Sequence, residues 1–545
     1  MNFINRLFFA AAFFAVSFVS YAQDKADESP VANWQNLDLK DDGVFGISTE
    51  KAYKELLKGD KSTTVVVAVI DGGIDEEHED LKKVMWVNPK EIAGNGIDDD
   101  NNGYVDDIYG WNFIGSAKAN IHYDNLELIR LINKYSPKYA SALNSTPFSD
   151  SERKEFNLYK KLVTDYMSKL QSAQMGLQNT TMIKKYLDEI TSKLNNQNPT
   201  ADDFGAYKPS NDIEGQVIKF IKPELKKRDF KKFYDELLDG IKYYDAQVKY
   251  HLNVEFDPRK DSVGDDYENS YDRNYGNNNI TGPDAEHGTH VAGIVGAVRN
   301  NDLGIKGVAN NVKIMAIRTV PDGDERDKDV ANSIRYAVDN GAKILNMSFG
   351  KSYSWDKKVV DEAVQYAISK GALLVHAAGN DAKNTEKEDN FPNRLFQDST
   401  GRTMGTATAW IEVGASSWKN DEDLVATFSN FGGKTVDVFA PGVKINSTMP
   451  ASTYKENDGT SMAAPVVSGL AALIWSHYPQ FTAVQIKEII MNSVTKVDYK
   501  VKIKEDGDSK KVNLGDISVS GGVVNAYAAL QLAEKMSKTN RARAK

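Results

Sequence analysis

Cysteine is absent from the 545-residue chain, which excludes disulfides, thiolate metal sites and cysteine nucleophiles at once. Stability must come from packing, and from bound ions where the chain supplies ligands. A basic stripe is also missing. The net charge is −10, and nucleic acid binding needs Lys and Arg gathered against phosphate, so no nucleic-acid partner is expected. The short basic end, Arg541 to Lys545 within a tail spanning 536–545, reads as solvated. Long apolar runs are scarce. Leu7 to Val19 is too short for a membrane span; it follows Asn5-Arg6 and precedes the small residues of Ser20-Tyr21-Ala22. That pattern predicts an export signal over 1–22, cleaved before Gln23, with an uncleaved anchor as the alternative. No cysteine stands at the cleavage point to carry a lipid. The mature chain is expected to have no stable membrane span and to be exported, to a periplasm or beyond the cell.

The apolar residues that are present, 41% of the chain, form short β-branched runs. Thr63 to Ile70 is nearly unbroken and ends at Asp71-Gly72-Gly73. An unbroken run suits a strand buried on both faces of a parallel sheet, and an acid at its C-terminal end lies where such sheets hold ligands and catalytic groups. Val312 to Val320, Ile344 to Met347, Leu373 to Ala377 and Val436 to Phe439 repeat the pattern, with helical stretches at Asp329 to Asn340 and Asp356 to Lys370. The alternation predicts an α/β fold on a central parallel sheet flanked by helices.

Four short motifs carry chemistry. Gly459-Thr460-Ser461-Met462-Ala463-Ala464-Pro465 runs straight into the apolar stretch Val466 to Trp475. Small residues around one serine at a helix start leave room for a substrate backbone beside a nucleophile. His287-Gly288-Thr289-His290 opens a second helix of small residues. A serine hydroxyl needs a neighbouring imidazole to take its proton, and the imidazole needs a carboxylate to fix its tautomer. Ser461 is therefore assigned as nucleophile, His287 as general base and then acid, and Asp71 as the orienting acid. His290 is read as structural, because only His287 stands at the loop-to-helix junction. Ala377-Ala378-Gly379-Asn380 ends a strand and offers a side-chain amide to an oxyanion. Alone, Asn380 would read as a left-handed turn residue; beside the other motifs it reads as a donor.

These motifs, in the order Asp, His, Ser, resemble the subtilisin-like serine peptidases, the subtilases, over Trp34 to Gly115 and Asp284 to Ala529. The resemblance implies a subtilisin-like sheet and endopeptidase activity on protein or peptide substrates. It also implies that Ser348-Phe349-Gly350 borders the pocket for the side chain preceding the cleaved bond, with a substrate strand pairing there and along the segment after Arg318. Two departures stand out. Gly72 occupies the place after the acid where the family usually has Ser or Thr. Gln23 to Asp71 is also too short for the folded inhibitory propeptide of many relatives. A catalytically silent relative that binds peptides is the alternative, opposed by the intact constellation.

Asn95 to Asp107 is rich in oxygen ligands. Asp98, Asp100, Asn102 and Asp106 follow a spacing that wraps a hard cation, so a structural Ca²⁺ loop is expected, against a solvated acidic turn. Tyr109 stands where an EF-hand would place its closing Glu.

Between the acid and the base lies a stretch of different composition, 120–261. Phe156, Tyr159, Val163, Tyr166, Leu170 and Ala173 recur at steps of three and four, as do Phe230, Phe233, Leu237, Ile241, Tyr244 and Val248. These stripes predict antiparallel helices in an inserted α-helical subdomain, dividing the peptidase domain into 23–119 and 262–535. Its role is open between a lid or docking arm for a partner or substrate, a substitute for the propeptide, and a dimer contact. Docking or gating is favoured, since the segment is rooted between two members of the triad.

Overall fold

The computed structural model describes residues 29–543 apart from 60, 399 and 400. The expected export signal lies outside these residues, as do the side chains of the basic end. Contacts gather the chain into two compact units, one of Leu128–Phe256 and one of Pro30–Glu127 with Asp257–Lys545.

The larger unit is built on a nine-stranded sheet. In chain order its strands are β1 (Val65–Asp71), β2 (Gly110–Asn112), β3 (Val312–Arg318), β4 (Ile344–Met347), β5 (Leu373–Ala377), β6 (Trp410–Ser416), β7 (Val438–Pro441), β8 (Thr495–Lys496) and β9 (Gly522–Val523). They lie side by side as β8, β9, β7, β6, β5, β4, β1, β3, β2, and only the β8/β9 pair is antiparallel. The apolar runs are continuous because both faces are covered. Val65, Val67 and Val69 of β1 join one core cluster, whereas Ala68 and Ile70 join the other. The first cluster holds helices α1 (Glu286–Gly296) and α4 (Thr460–His477); the second holds α2 (Asp327–Asp339) and α3 (Lys357–Ser369). From β1 the chain builds β3 on one side and then crosses to β4 on the other. The C-terminal ends of β1 and β4 therefore flank the point where strand order reverses, with β5 next beyond β4, and such points are where open α/β sheets bind ligands.

Charge is buried at the start of α2. Glu325, Arg326, Asp327, Lys328 and Asp329 are all inaccessible. Arg326 forks onto Asp124 at 2.7 and 2.9 Å and reaches Asp257 at 3.2 Å. Arg259 forks onto Asp329 at 2.7 and 2.8 Å, and Lys328 bonds Asp265 at 2.6 Å. One guanidinium thus holds the chain just before residue 128 and just after residue 256.

The smaller unit is helical. Asp150–Leu194 forms one helix of 45 residues, about 67 Å long, with a Ser149/Glu152 capping box at its start. It runs antiparallel to Phe230–Ala246: Gly176 meets Tyr244, whereas Asp188 accepts from Tyr234 at 2.5 Å. Ile183, Leu187 and Ile190 pack with Val217, Ile221, Phe233 and Leu237 in a core of their own.

Candidate active site

Two helices start near the C-terminal ends of the central strands, and each presents a candidate side chain from its second residue. His287 is second in α1 and Ser461 is second in α4. Asp71 is the last residue of β1. His287 Nδ1 lies 2.7 Å from Asp71 Oδ1, which fixes the imidazole with Nε2 turned outward. Gly288 permits this approach, because a Cβ there would collide with Gly73 O and crowd Asp71. Asp71 is buried while the His287 side chain is 46% exposed, so the imidazole can be reached from outside and the carboxylate cannot. Burial alone would lower the His287 pKa. The charge and hydrogen bond of Asp71, with the charge of Asp284, outweigh it and hold the imidazole above its usual 6.5.

Asp71 accepts a second hydrogen bond at Oδ1, from the Gly72 amide at 2.7 Å, while its backbone oxygen accepts from Thr319 and Val320 at 2.8 and 3.1 Å. Oδ2 is buried with no hydrogen-bond partner among the described residues. That oxygen is the one a hydroxyl at position 72 could serve.

Gly459 enters α4 at φ +155°, a conformation that L side chains rarely adopt. Ser461 Oγ donates to Ser348 O at 3.1 Å, and Ser348 Oγ returns a bond to Ser461 O at 2.9 Å. No hydrogen bond joins Ser461 Oγ to His287 among the described residues. Such contacts are often loose before substrate binds.

Asn380 Oδ1 accepts from both Thr460 N and Thr460 Oγ1 at 2.9 Å, and Thr460 Oγ1 accepts from Gly379 N at 3.1 Å. The amide oxygen is thereby fixed inward and Nδ2 is left as the outward donor. Thr460 was not singled out in the sequence; its signal was only its place before the serine.

Of the expected substrate edge, Ser348 is buried against Ser461, Phe349 stands edge-on to His376 with ring centroids 6.3 Å apart, and Gly350 backs onto the Asn390 side chain. His290 sits beneath the site, its Nε2 3.0 Å from Lys455 O, and burial pushes its pKa down to about 4.

The oxygen-rich loop divides into two jobs. Asp98 and Asp100 gather with Glu91, each offering an oxygen within 4.8 Å of the others. Glu91 Oε1 accepts the amides of Asp99 and Asp100 at 2.9 and 3.2 Å, whereas Oε2 is buried without a hydrogen-bond partner among the described residues. A buried, unpaired carboxylate oxygen facing two more carboxylates suits a hard divalent cation. Asp106 instead accepts from Gly94 N and Gly96 N, both at 2.9 Å, and Asn102 Oδ1 accepts from Tyr104 N at 2.8 Å. These two hold the loop's shape. Glu91 lies outside the regular spacing, so no sequence pattern singled it out.

A sequence profile of the subtilase family matches residues 62–514. The chain is 41% identical over 191 residues to the thermophilic serine proteinase of Bacillus sp. (strain AK1), covering 35% of this chain and 42% of that protein. It is 34% identical over 245 residues to subtilisin BL of Lederbergia lenta, covering 45% of this chain and 77% of that protein. A solved structure of proteases from Pseudoalteromonas arctica PAMC 21717 aligns at a TM-score of 0.37 with 30% identity, covering 46% of this chain and 74% of that one. The chain belongs to the subtilase family of serine peptidases. It spans less than half the length of the first of these relatives.

Proposed function

We propose that the protein is an exported serine endopeptidase, periplasmic or extracellular, that hydrolyses peptide bonds through an acyl-enzyme on Ser461. The observation that carries this reading is the 2.7 Å bond between Asp71 and His287 at the sheet end where α4 presents Ser461. Ser461 Oγ attacks the scissile carbonyl as its proton passes to His287 Nε2. Asp71 stabilises the resulting imidazolium, and Asn380 Nδ2 with the Ser461 amide receives the oxyanion. His287 then returns the proton to the leaving amine, and water repeats the sequence on the ester. Ser348-Phe349-Gly350 would border the pocket for the side chain before the cleaved bond.

Glu91, Asp98 and Asp100 would hold Ca²⁺, which supplies a cross-link between the start and the middle of a loop that lacks disulfides. Export rests on the pattern of residues 1–22; in addition, no helix among the described residues is long and apolar enough to cross a membrane. The 120–261 insertion is read as a docking or gating arm for substrates or a partner. Its support is its place in the chain between Asp71 and His287, and its separate helical core.

Labelling of the purified mature protein with a fluorophosphonate, beside Ser461→Ala, with and without Ca²⁺, tests the reading. Labelling that disappears in the variant is expected. A folded, Ca²⁺-loaded wild type that neither labels nor cleaves peptides would sink it.

A further inference from the structure

The run Asp324-Glu325-Arg326-Asp327-Lys328-Asp329 has the composition of a solvated face, yet its last five residues are buried. Lys351 is buried against it. This lysine directly follows Ser348-Phe349-Gly350 and is 4% exposed. Its Nζ lies 2.7 Å from Asp327 Oδ1, donates to Glu325 O at 2.6 Å and stands 3.6 Å from Glu127 Oε1. The Lys351 backbone is engaged as well, exchanging hydrogen bonds of 2.9 and 2.8 Å with Phe391. Asp327 in turn accepts from Ser354 Oγ at 2.6 Å and from Asp356 N at 2.7 Å.

A lysine on a loop ordinarily extends into water, where its charge is best solvated. Here the ammonium is withdrawn into the protein and bonded to the backbone and side chains of the segment that follows β3. Burying such a pair adds little to stability compared with well-packed apolar residues, so its distinctive effect is geometric. It sets the spacing between two backbone segments, Val320–Glu325 after β3 and Ser348–Gly350 after β4. Ser348 is itself tied to Ser461 by two hydrogen bonds, so that spacing is referenced to the nucleophile.

We propose that Lys351 is a substrate-positioning residue, whose buried ammonium fixes the distance between the Ser348–Gly350 and Val320–Glu325 edges so that an extended peptide lies in register with Ser461. The proposal rests on the peptidase reading above. Lys351 touches no reacting atom; it acts through the two edges. Its loss should therefore weaken the hold on a long substrate and spare chemistry that uses only Asp71, His287, Asn380 and Ser461.

The test compares full-length wild type with Lys351→Met, Lys351→Arg and the charge-neutral double variant Lys351→Met/Asp327→Asn. Three readouts are used: the rate of fluorophosphonate labelling, hydrolysis of p-nitrophenyl acetate, and KM and kcat on a tetrapeptide anilide. In Lys351→Met the labelling and acetate rates are expected to stay within about twofold of wild type, while the tetrapeptide KM rises about tenfold. Lys351→Arg should restore most of that loss, since a guanidinium can still pair with Asp327. If Lys351→Met fails to fold because Asp327 is left unpaired, the double variant reads the same split. The proposal is overturned if all three activities fall together in a folded variant, or if the tetrapeptide KM is unchanged. It is also overturned if both Lys351→Met and Lys351→Met/Asp327→Asn fail to fold while Lys351→Arg matches wild type, since that outcome assigns Lys351 to stability alone. A wild type without labelling or peptide cleavage would instead remove the peptidase reading itself.

Discussion

Asp71 and Gly72 are joined by a hydrogen bond that a longer side chain at position 72 would complement: the Gly72 amide donates to Asp71 Oδ1 at 2.7 Å, and Asp71 Oδ2 is buried without a hydrogen-bond partner among the described residues. A Cβ on Gly72 would stand 3.2 Å from Val320 O, tight but reachable by a small backbone shift. Gly72→Ser is expected to supply the missing bond, to hold the acid more firmly and to raise kcat/KM several-fold. Gly72→Ala has the same crowding without the hydroxyl and should not. Equal kinetics of the two variants on a peptide substrate would show that Oδ2 has no influence on the rate.

The raised pKa of His287 gives the activity a direction in pH. Catalysis needs the neutral imidazole, so activity should appear as pH rises through a midpoint above 6.5. Asp284 contributes to that rise by its charge, so Asp284→Asn should move the midpoint of kcat/KM downward. The stability consequence has the opposite sense. A raised folded-state pKa contributes stability that is complete below the unfolded value and lost as pH rises through the folded one. Melting of Asp284→Asn against wild type should therefore differ more at roughly pH 5 than at roughly pH 9; a midpoint unmoved by the substitution would contradict this.

With its oxygen fixed by Thr460, Asn380 can act only through Nδ2. Asn380→Leu should lower kcat by about a hundredfold to a thousandfold with little change in KM; that scale was itself established on a subtilisin and is borrowed from it. Loss in KM alone would place Asn380 in substrate binding rather than in the oxyanion hole.

Calcium should stabilise the wild type by about 2.7 kcal/mol at a hundredfold excess over its dissociation constant. Glu91→Gln, which removes the charge of the unpaired buried oxygen, should abolish most of that gain, read as a Ca²⁺-dependent melting temperature. Asn102→Ala should weaken the loop with or without the ion. Identical Ca²⁺ responses of wild type and Glu91→Gln would remove the site.

Because Asp124 and Asp257 share the Arg326 guanidinium, a short Gly/Ser linker can replace residues 128–256. The remaining chain keeps every strand of the nine-stranded sheet and should still label with fluorophosphonate. A docking or gating arm predicts altered cleavage of protein substrates with unchanged hydrolysis of small peptides. Unchanged activity on both would discard that role.

Much of the scaffold was legible in the chain. β4 and β5 coincide with their predicted runs, because a strand covered on both faces is mostly apolar, with Asn346 and His376 as the buried polar exceptions. The run at Val436 begins two residues before β7, whose pairing reaches Pro441. No strand is predicted over Trp410–Ser416, which carries the polar Glu412 near its centre. That carboxylate is buried, accepting from Trp410 two residues earlier and bonded to His376, which comes close only in the folded sheet.

The sequence by itself determined the order Asp71, His287, Asn380, Ser461, the helix starts and strand ends that carry them, and the helical stripes of the insertion, since local chemistry and periodicity depend on neighbours along the chain. Only the tertiary structure decided which side chains meet. It joined Asp71 to His287 across 216 positions, turned the charged run at Glu325 to Asp329 inward against Lys351, and drew Glu91 into the acidic loop in which Asp106 is spent on backbone amides. These outcomes rest on desolvation and on pairing between distant segments, and both are set by burial, which appears only when the layers pack.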